Sequence, residues 1–316
     1  MNKVHSQSST RDVQVLARVR SPYNDIFILQ AGDHREMWFQ GESGLFLQSR
    51  VDVKRLLVPV LVYSQMALAA LLFRPPPQTI LIIGLGGGVL PNCLKACFPE
   101  AWIDIVEVDS QVIQLARKYF FLKETERVRT YAEDGRVFLD RCAPGRYDLV
   151  YLDAFKSGSV PFHLKTRQFY QSIRRVMAPG GVVVSNLYGL SNSLKPSDEK
   201  TFARVFPQLY FFEDPNRVAT LLVATLAEQR RTRENLEQAA REFQPPGVLH
   251  LSMPKIIKTL LHKPSSATEG QVFEDDFRPG QDREIFEKNN RDHPTVVRPY
   301  PIKNIHSLAE KQGGNC

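Results

Sequence analysis

Hydrophobic and polar residues follow one pattern before residue 74 and another after it. The first part contains four short apolar runs, separated by turn signals rich in Gly, Ser, Pro and Asn. These runs predict short strands at 13–20, 25–30, 36–41 and 44–49. An uncharged stretch at 56–73 follows, interrupted by Pro59, Ser64 and Gln65. This stretch only just reaches spanning length, and it predicts a buried helix rather than a membrane span.

From residue 79 onward, continuous apolar runs alternate with helical patterns, which is typical of a parallel sheet covered by helices on both faces. Adjacent apolar runs at 207–214 and 217–226 predict an antiparallel pair at one edge. The predicted class is α/β, with a doubly wound, mostly parallel sheet and a small N-terminal β domain. The predicted parts are a flexible N-terminus at 1–12, a β-strand module with the apolar helix at 13–73, a catalytic domain at 74–228, and a helix with an extended tail at 229–316.

Composition narrows the class of protein further. With 43% hydrophobic and 24% charged residues the chain can bury a core, which excludes a wholly disordered chain, a collagen-like repeat and a coiled coil. The net charge is +7, from 41 basic and 34 acidic residues, but the basic residues are spread along the chain. The basic cluster at 230–233 predicts a solvated helix face, so no nucleic-acid partner is expected.

Cysteine spacing and the N-terminus suggest a compartment. The four cysteines form no disulfide framework, and the four-residue spacing of Cys93 and Cys97, without a second pair or a nearby His, favours core packing over a metal site. The polar N-terminus lacks the apolar run of a signal peptide. We therefore expect a cytoplasmic protein with no metal and no membrane association.

The candidate chemistry lies at the ends of the predicted parallel strands, where open sheets bind ligands. The first strand ends in GLGGGV at 84–89, which lacks the third glycine of a dinucleotide fingerprint and disfavours a nicotinamide dehydrogenase. Glu107 ends the second strand and can accept hydrogen bonds from both hydroxyls of a ribose. Asp134 ends the third and can accept an adenine amine or cap the next helix. With Asp153 after the fourth strand, these acids suit a ligand with ribose, adenine and a positive charge, as in S-adenosyl sulfonium compounds.

The stretches ILIIGLGGGVLP, IDIVEVDSQVI, YAEDGRVFL and YDLVYLDAF resemble the spermidine synthase (polyamine aminopropyltransferase) family. The resemblance covers roughly residues 21–226, and FEDDFRP at 273–279 is similar to a late acidic-aromatic-proline segment of such proteins. It implies a Rossmann-like, methyltransferase-type sheet behind an N-terminal β domain, a transferase of polyamine biosynthesis, and a homodimer. The implied co-substrate is decarboxylated S-adenosylmethionine or S-adenosylmethionine itself, and the implied partner is an amine or another nucleophilic acceptor.

The resemblance also implies roles for individual residues. Asp153 would help to deprotonate the attacking amine, and Gln48 would lie near the polyamine channel. The residues implied in nucleoside binding are Gly84, Gly86, Gly88, Glu107, Asp134 and Gly135.

Several positions depart from the family pattern. Gly87 stands where the family turn usually has an aspartate, and Lys156 stands where a second strand-four aspartate is expected. The Tyr-His/Gln-Glu element after Gln48 is missing, with Leu57 near the tyrosine position, and residues 186–189 replace a proline-tyrosine loop. These changes leave the nucleoside site but remove most of the acids that would hold a cationic amine. Lys156 is expected to repel a diamine, so putrescine and spermidine are predicted to be poor acceptors.

Three functions remain open from the sequence. The first is an aminopropyltransferase-like enzyme with Asp153 as base. The second is an S-adenosylmethionine-dependent methyltransferase on the same scaffold, because a cation in place of the acidic clamp suits the methionyl carboxylate. The third is a nucleoside-binding protein that has lost catalysis, against which the retention of Asp153 argues weakly.

Overall fold

The N-terminal part of the chain forms a four-stranded antiparallel meander in the predicted order. The computed structural model describes residues 13–41, 44–74, 76–155, 160–188, 192, 194–245, 249–262 and 270–276. The strands are β1 Val13–Arg20, β2 Asp25–Ala31, β3 His34–Gly41 and β4 Gly44–Asp52. Both faces of β2 are buried, with Ile26 and Ile28 in the main core and Phe27 and Leu29 in a separate cluster around Trp38. This explains why the apolar run of β2 is continuous rather than alternating.

The later part of the uncharged stretch at 56–73 is buried, as predicted, but its helix is shorter than the pattern indicates. Helix α1 spans Val62–Ala67 and continues as a 3-10 helix, Leu68–Leu72, whose side chains are all 1% exposed or less. Residues 53–58 form turns and bends rather than a helix, and a proline at position 59 removes a backbone donor that a regular helix would use. Within the described residues, no helix is long and apolar enough to cross a membrane.

The second sheet has seven strands in the order β10-β11-β9-β8-β5-β6-β7. The strands are β5 Thr79–Ile83, β6 Trp102–Glu107, β7 Val128–Ala132, β8 Tyr147–Leu152, β9 Met177–Asn186, β10 Gln208–Glu213 and β11 Thr220–Thr225. The pairs from β7 to β9 are parallel, and β11 is antiparallel to both of its neighbours. The predicted antiparallel pair therefore lies at the β10 edge. The winding reverses between β5 and β8, so the carboxyl ends of these strands form the ligand-binding crevice of the fold.

Helices cover both faces of this sheet. They are α2 Val89–Cys97, α3 Ser110–Tyr119, α4 Gly135–Asp140, α5 Arg167–Val176, α6 Lys195–Ala203, α7 Arg233–Glu242 and α8 Met253–Ile256. Helix α6 is absent from the sequence expectations, because its sequence KPSDEKTFA has no apolar stripe and buries Asp198, Glu199 and Thr201 instead. The carboxylate of Asp198 pairs with Lys165, just before α5, at 2.9 Å, so a buried ion pair joins α6 to its neighbour beside the core contact of Phe202.

A late segment, residues 270–276, packs across α5 and α6. The Phe273 ring stacks edge-on against Phe162 with centroids 4.9 Å apart, and its backbone bonds to Thr201 and Arg167. The carboxylate of Glu274 accepts hydrogen bonds from the Arg167 guanidinium at 2.9 Å. This segment contains the start of the acidic-aromatic motif, while residues 277–279 lie outside the described residues.

We expect Phe273→Ala to lower the free energy of unfolding by roughly 2–4 kcal/mol, because the ring is 9% exposed and leaves a cavity when truncated. The control Glu274→Gln weakens only a partly exposed ion pair and should cost about 0.5–1 kcal/mol. Urea unfolding midpoints of the two variants measure the difference. Equal losses would contradict the anchoring role of the ring.

Candidate functional site

An open cavity lies at the reversal of the sheet winding, with a volume of about 1240 Å³ that includes the solvent space at its mouth. Its floor is formed by the carboxyl ends of β5, β6, β8 and β9, and its roof by β3, β4 and the segment that leads into α1. Four residues that the sequence singled out line it, namely Gln48, Gly86, Glu107 and Asp153. The structure thus brings part of the predicted site into one cavity.

Three of the four glycines in the turn after β5, at positions 84, 86 and 88, have different structural roles. A Cβ at Gly84 would lie 2.4 Å from the backbone oxygen of Asp153, so a glycine is required for β5 and β8 to close together. Gly86 lines the cavity, with φ +54°. Gly88 precedes α2 with φ +73° and packs on Leu122. Of the three predicted ligand contacts only Gly86 lines the cavity, while Gly84 and Gly88 shape the turn.

The fourth glycine of the turn, Gly87, has no space for a side chain. A Cβ at Gly87 would lie 2.7 Å from the ring of Phe120 and 2.9 Å from the Cβ of Ser49. The backbone N–H of Gly87 donates to the Ser49 hydroxyl at 2.9 Å. The place where the family usually carries an aspartate is therefore occupied by a buried ring and a serine from β4. The sequence shows the glycine but not the two residues that fill its space.

Glu107 holds the end of β6 against the glycine turn. Its two carboxylate oxygens accept hydrogen bonds from the backbone N–H groups of Leu85 and Asp109, each at 3.0 Å. Burial raises the pKa of Glu107 to about 7 in spite of these bonds. Each carboxylate oxygen can accept more than one hydrogen bond, so the residue fits the ribose-binding role.

Asp109 links the β6 side of the cavity to the N-terminal sheet. It caps α3 by accepting the N–H of Gln111 at 3.0 Å. Its other oxygen accepts the Ser21 hydroxyl at 2.5 Å and the Asn24 amide at 3.1 Å, both from the turn between β1 and β2. Sequence reasoning did not assign this residue a role, because its partners lie about 85 positions earlier in the chain.

Asp153 is half-buried at the end of β8. Its carboxylate accepts a hydrogen bond from the side-chain amide of Asn186 at 3.2 Å, and burial raises its pKa to about 7. The Asn186 carbonyl in turn accepts the backbone N–H of Tyr188 at 3.0 Å, which orients the amide. The rule of polar residues at strand ends could have found Asn186, since it ends β9.

Tyr63 is a further polar residue of the cavity that the sequence pattern did not reveal. Its hydroxyl donates to the backbone oxygen of Gln48 at 3.3 Å. Burial and the nearby carboxylate of Asp153 hold the pKa of Tyr63 well above its usual range. The side chain of Gln48 bonds to the backbone oxygen of Phe46 at 3.3 Å. Lys156 lies outside the described residues.

Asp134 and Gly135 do not line the cavity. Asp134 caps α4 by accepting the N–H groups of Arg136 and Val137, as the helix-cap interpretation predicts. Its second oxygen lies 2.8 Å from Nε2 of His163, and this hydrogen bond holds the pKa of Asp134 below its usual range. A Cβ at Gly135 would lie 2.5 Å from Ile83, so the glycine allows α4 to pack on β5. The adenine-binding role of both residues stays a prediction.

Sequence comparisons identify the family. A family profile described as "Spermine/spermidine synthase domain" matches residues 61–209. A protein of Vibrio vulnificus (strain CMCP6) named "Polyamine aminopropyltransferase" is 34% identical over 241 residues, which cover 73% of this chain and 79% of that protein. The chain therefore belongs to the spermine/spermidine synthase family, as its motifs predict.

Other relatives belong to a second kind of transferase. The "eEF1A lysine and N-terminal methyltransferase" of Homo sapiens is 28% identical over 187 residues, which cover 54% of this chain and 27% of that protein. The chain thus spans about a quarter of the length of this relative. Aminopropyltransferases and methyltransferases are both transferases, and the prediction of a transferase is confirmed.

Solved structures confirm the fold. The "probable spermidine synthase" of Corynebacterium glutamicum ATCC 13032 superposes with a TM-score of 0.66 at 18% identity, over 83% of this chain and 97% of that one. A human methyltransferase-like protein in complex with SAH gives a TM-score of 0.53 at 23% identity, over 66% of this chain and 98% of that one. The predicted methyltransferase-type sheet with a separate N-terminal β-sheet is therefore correct. The predicted domain boundaries stay a prediction.

We expect Asp153→Asn to stabilise the fold more at pH 8 than at pH 5. Burial raises the pKa of this carboxyl from an ordinary 3.8 to about 7, so the folded chain binds its proton more tightly than the unfolded chain. Its contribution to stability is therefore greatest below pH 4 and falls as pH rises towards 7. The neutral amide avoids this loss, and the free energy of unfolding should rise by about 1–3 kcal/mol at pH 8.

Thermal unfolding at both pH values measures this effect, with exposed Asp140→Asn as the control. The control should change stability by less than about 0.5 kcal/mol at either pH. A gain for Asp153→Asn that is the same at pH 5 and pH 8 would refute the explanation from burial.

Proposed function

We propose that this chain transfers an alkyl group from the sulfonium of an S-adenosyl compound to an amine, with Glu107 binding the ribose and Asp153 acting as base. The observation that carries this proposal is that both carboxylates open into one cavity from β6 and β8, the two neighbours of β5. Two strand spacings of about 4.8 Å separate these positions, or roughly 10 Å. This separation leaves room for a ribose at one carboxylate and the reacting centre at the other.

The chain supplies orientation and a base. In the proposed reaction the amine nitrogen bonds to the carbon beside the sulfonium, and the carbon–sulfur bond breaks with its electrons going to sulfur. The proton lost by the nitrogen passes to Asp153. A base with a pKa of about 7 is suited to this transfer near neutral pH. Asn186 donates a hydrogen bond to the base, and Tyr63 lies beside it in the cavity lining.

Two observations support different alkyl groups. The relative at 34% identity is named for aminopropyl transfer, which favours decarboxylated S-adenosylmethionine as the donor. The filled space at Gly87 favours the second candidate, a methyltransferase that uses S-adenosylmethionine. With Phe120 and Ser49 in contact there, the turn offers no carboxylate to the cationic end of an aminopropyl group. Methyltransferases among the relatives agree with this second candidate.

We expect methylthioadenosine to bind more tightly as pH rises from 6 to 8, by about three- to tenfold. Burial raises the pKa of Glu107 to about 7, and only the ionised carboxylate can accept both ribose hydroxyls. Glu107→Gln should remove this pH dependence, and Glu107→Ala should weaken binding by roughly ten- to hundredfold. Calorimetric titration measures both effects. Unchanged affinity in Glu107→Ala would remove this residue from the nucleoside site.

We expect Asp153→Asn to lower turnover by about 10²–10⁴-fold while the affinity for methylthioadenosine changes less than threefold. The assay supplies decarboxylated S-adenosylmethionine or S-adenosylmethionine with a panel of amines, and it quantifies methylthioadenosine and S-adenosylhomocysteine separately. The donor that yields its nucleoside product decides between the two candidates. Turnover of the variant equal to that of the parent would exclude Asp153 as the base.

A further inference from the structure

The half of the cavity beyond Asp153 is mostly apolar, apart from the amide of Asn186 and the hydroxyl of Tyr188. Along the sheet, the strand order after β8 is β9 and then β11. Phe155 follows β8, Tyr188 follows β9, and Val218 lies just before β11, so these three residues line the cavity on the side away from Glu107. We call them, together with Val62 of the roof, the acceptor wall. The wall extends about 10 Å from Asp153, at two strand spacings of roughly 4.8 Å.

The aromatic part of the acceptor wall is a pair of rings. Phe155 and Tyr188 have centroids 6.0 Å apart and planes inclined at 53°. Val62 and Val218 are 37% and 45% exposed at the mouth of the cavity. Large apolar side chains left accessible around a cavity mark a surface that an apolar group can cover.

The charges in the cavity also favour an acceptor with a single amine. Its described lining contains two ionisable acids, Glu107 and Asp153, and no Lys, Arg or His. Asp214 lies close behind Ala219 but outside the lining, and its carboxylate accepts the backbone N–H groups of Asn216 and Ala219 at 2.9 and 2.7 Å. If Glu107 binds the ribose, Asp153 is the one carboxylate among these lining residues that is left for an amine.

A diamine would fit this arrangement poorly. Its first nitrogen gives up its proton at Asp153, but its second ammonium would lie against the acceptor wall. Contact with the two rings compensates only part of the cost of removing that charge from water. An aromatic or aliphatic body in the same place removes apolar surface from water on both sides.

We propose that the acceptor is an amine with a single nitrogen and an apolar, ring-sized body, whose nitrogen lies at Asp153 and whose body packs on the acceptor wall. This inference rests on the proposed transfer reaction, because that reaction places the nitrogen of the amine at Asp153. It concerns the chemical class of the acceptor, and the class proposed differs from the polyamines after which the family is named.

Titration of the full chain, saturated with methylthioadenosine, tests this inference by binding alone. The probes are 2-phenylethylamine, butylamine and putrescine. Butylamine and putrescine differ by one ammonium, and the first two probes differ in apolar body. We expect 2-phenylethylamine to bind about tenfold more tightly than butylamine, and butylamine about tenfold more tightly than putrescine. Putrescine affinity equal to or above that of 2-phenylethylamine, or no binding of any amine below about 10 mM, would overturn the inference.

Variants that add the same charge inside and outside the acceptor wall test whether the wall selects the amine. Val218→Asp adds a carboxylate to the acceptor wall and should raise putrescine affinity and lower that of 2-phenylethylamine, each by about tenfold. Leu261→Asp adds the same charge at a site that is 38% exposed and outside the cavity lining, and it should change neither affinity. Val62→Asp serves as a second variant of the wall if Val218→Asp does not fold. Equal responses of the wall variants and Leu261→Asp would refute the assigned location.

Turnover measured with the same three amines tests the proposed acceptor class and the proposed transfer reaction separately. Nucleoside product that forms fastest with 2-phenylethylamine supports both. The expected binding order without product from either donor supports the acceptor class and contradicts the transfer reaction. Product formed fastest from putrescine supports the transfer reaction and contradicts the acceptor class.

Discussion

The close approach of the backbone at Gly84 to the backbone at Asp153 is the constraint on which the site depends. A side chain at Gly84 would begin 2.4 Å from the Asp153 oxygen, so any other residue would force the ends of β5 and β8 apart. The same junction is where the sheet reverses its winding and opens a crevice. Asp153 and the glycine turn are thus neighbours for a reason of packing, before any ligand is considered.

Burial decides the chemistry of the two carboxylates that face this crevice. Glu107 and Asp153 lie among apolar side chains, and both have pKa values of about 7. Their hydrogen-bond partners differ, however. Glu107 is held by two backbone N–H groups, which suit a fixed binding residue, whereas Asp153 has one side-chain amide, which leaves it freer to take up a proton. Similar pKa values therefore accompany different proposed tasks.

The N-terminal sheet completes the cavity through a few polar contacts. Ser21 and Asn24 bind the cap residue Asp109, while Ser49 accepts the N–H of Gly87. These bonds place β4 over the glycine turn and bring Phe46 and Gln48 to the cavity roof. The contact between Ser49 and Gly87 positions the roof and also fills the space where the family usually has an aspartate side chain. The position of the roof and the absence of that aspartate therefore have the same physical origin.

Local patterns were sufficient for the strands, the parallel alternation and the residues at strand ends, because the period of apolar residues and the turn signals act over a few positions. They also predicted the family, since its motifs lie within single strand–turn units. Helix α6 was missed because three of its four buried residues, Asp198, Glu199 and Thr201, are polar. The helix in 56–73 was overestimated because apolarity alone does not determine where a helix begins. Only the tertiary structure decided which predicted residues share the cavity, that Asp134 pairs with His163, and that Tyr63 and Asn186 surround Asp153. These contacts join residues 29 to about 90 positions apart, and such contacts depend on how strands and helices pack, which no local pattern encodes.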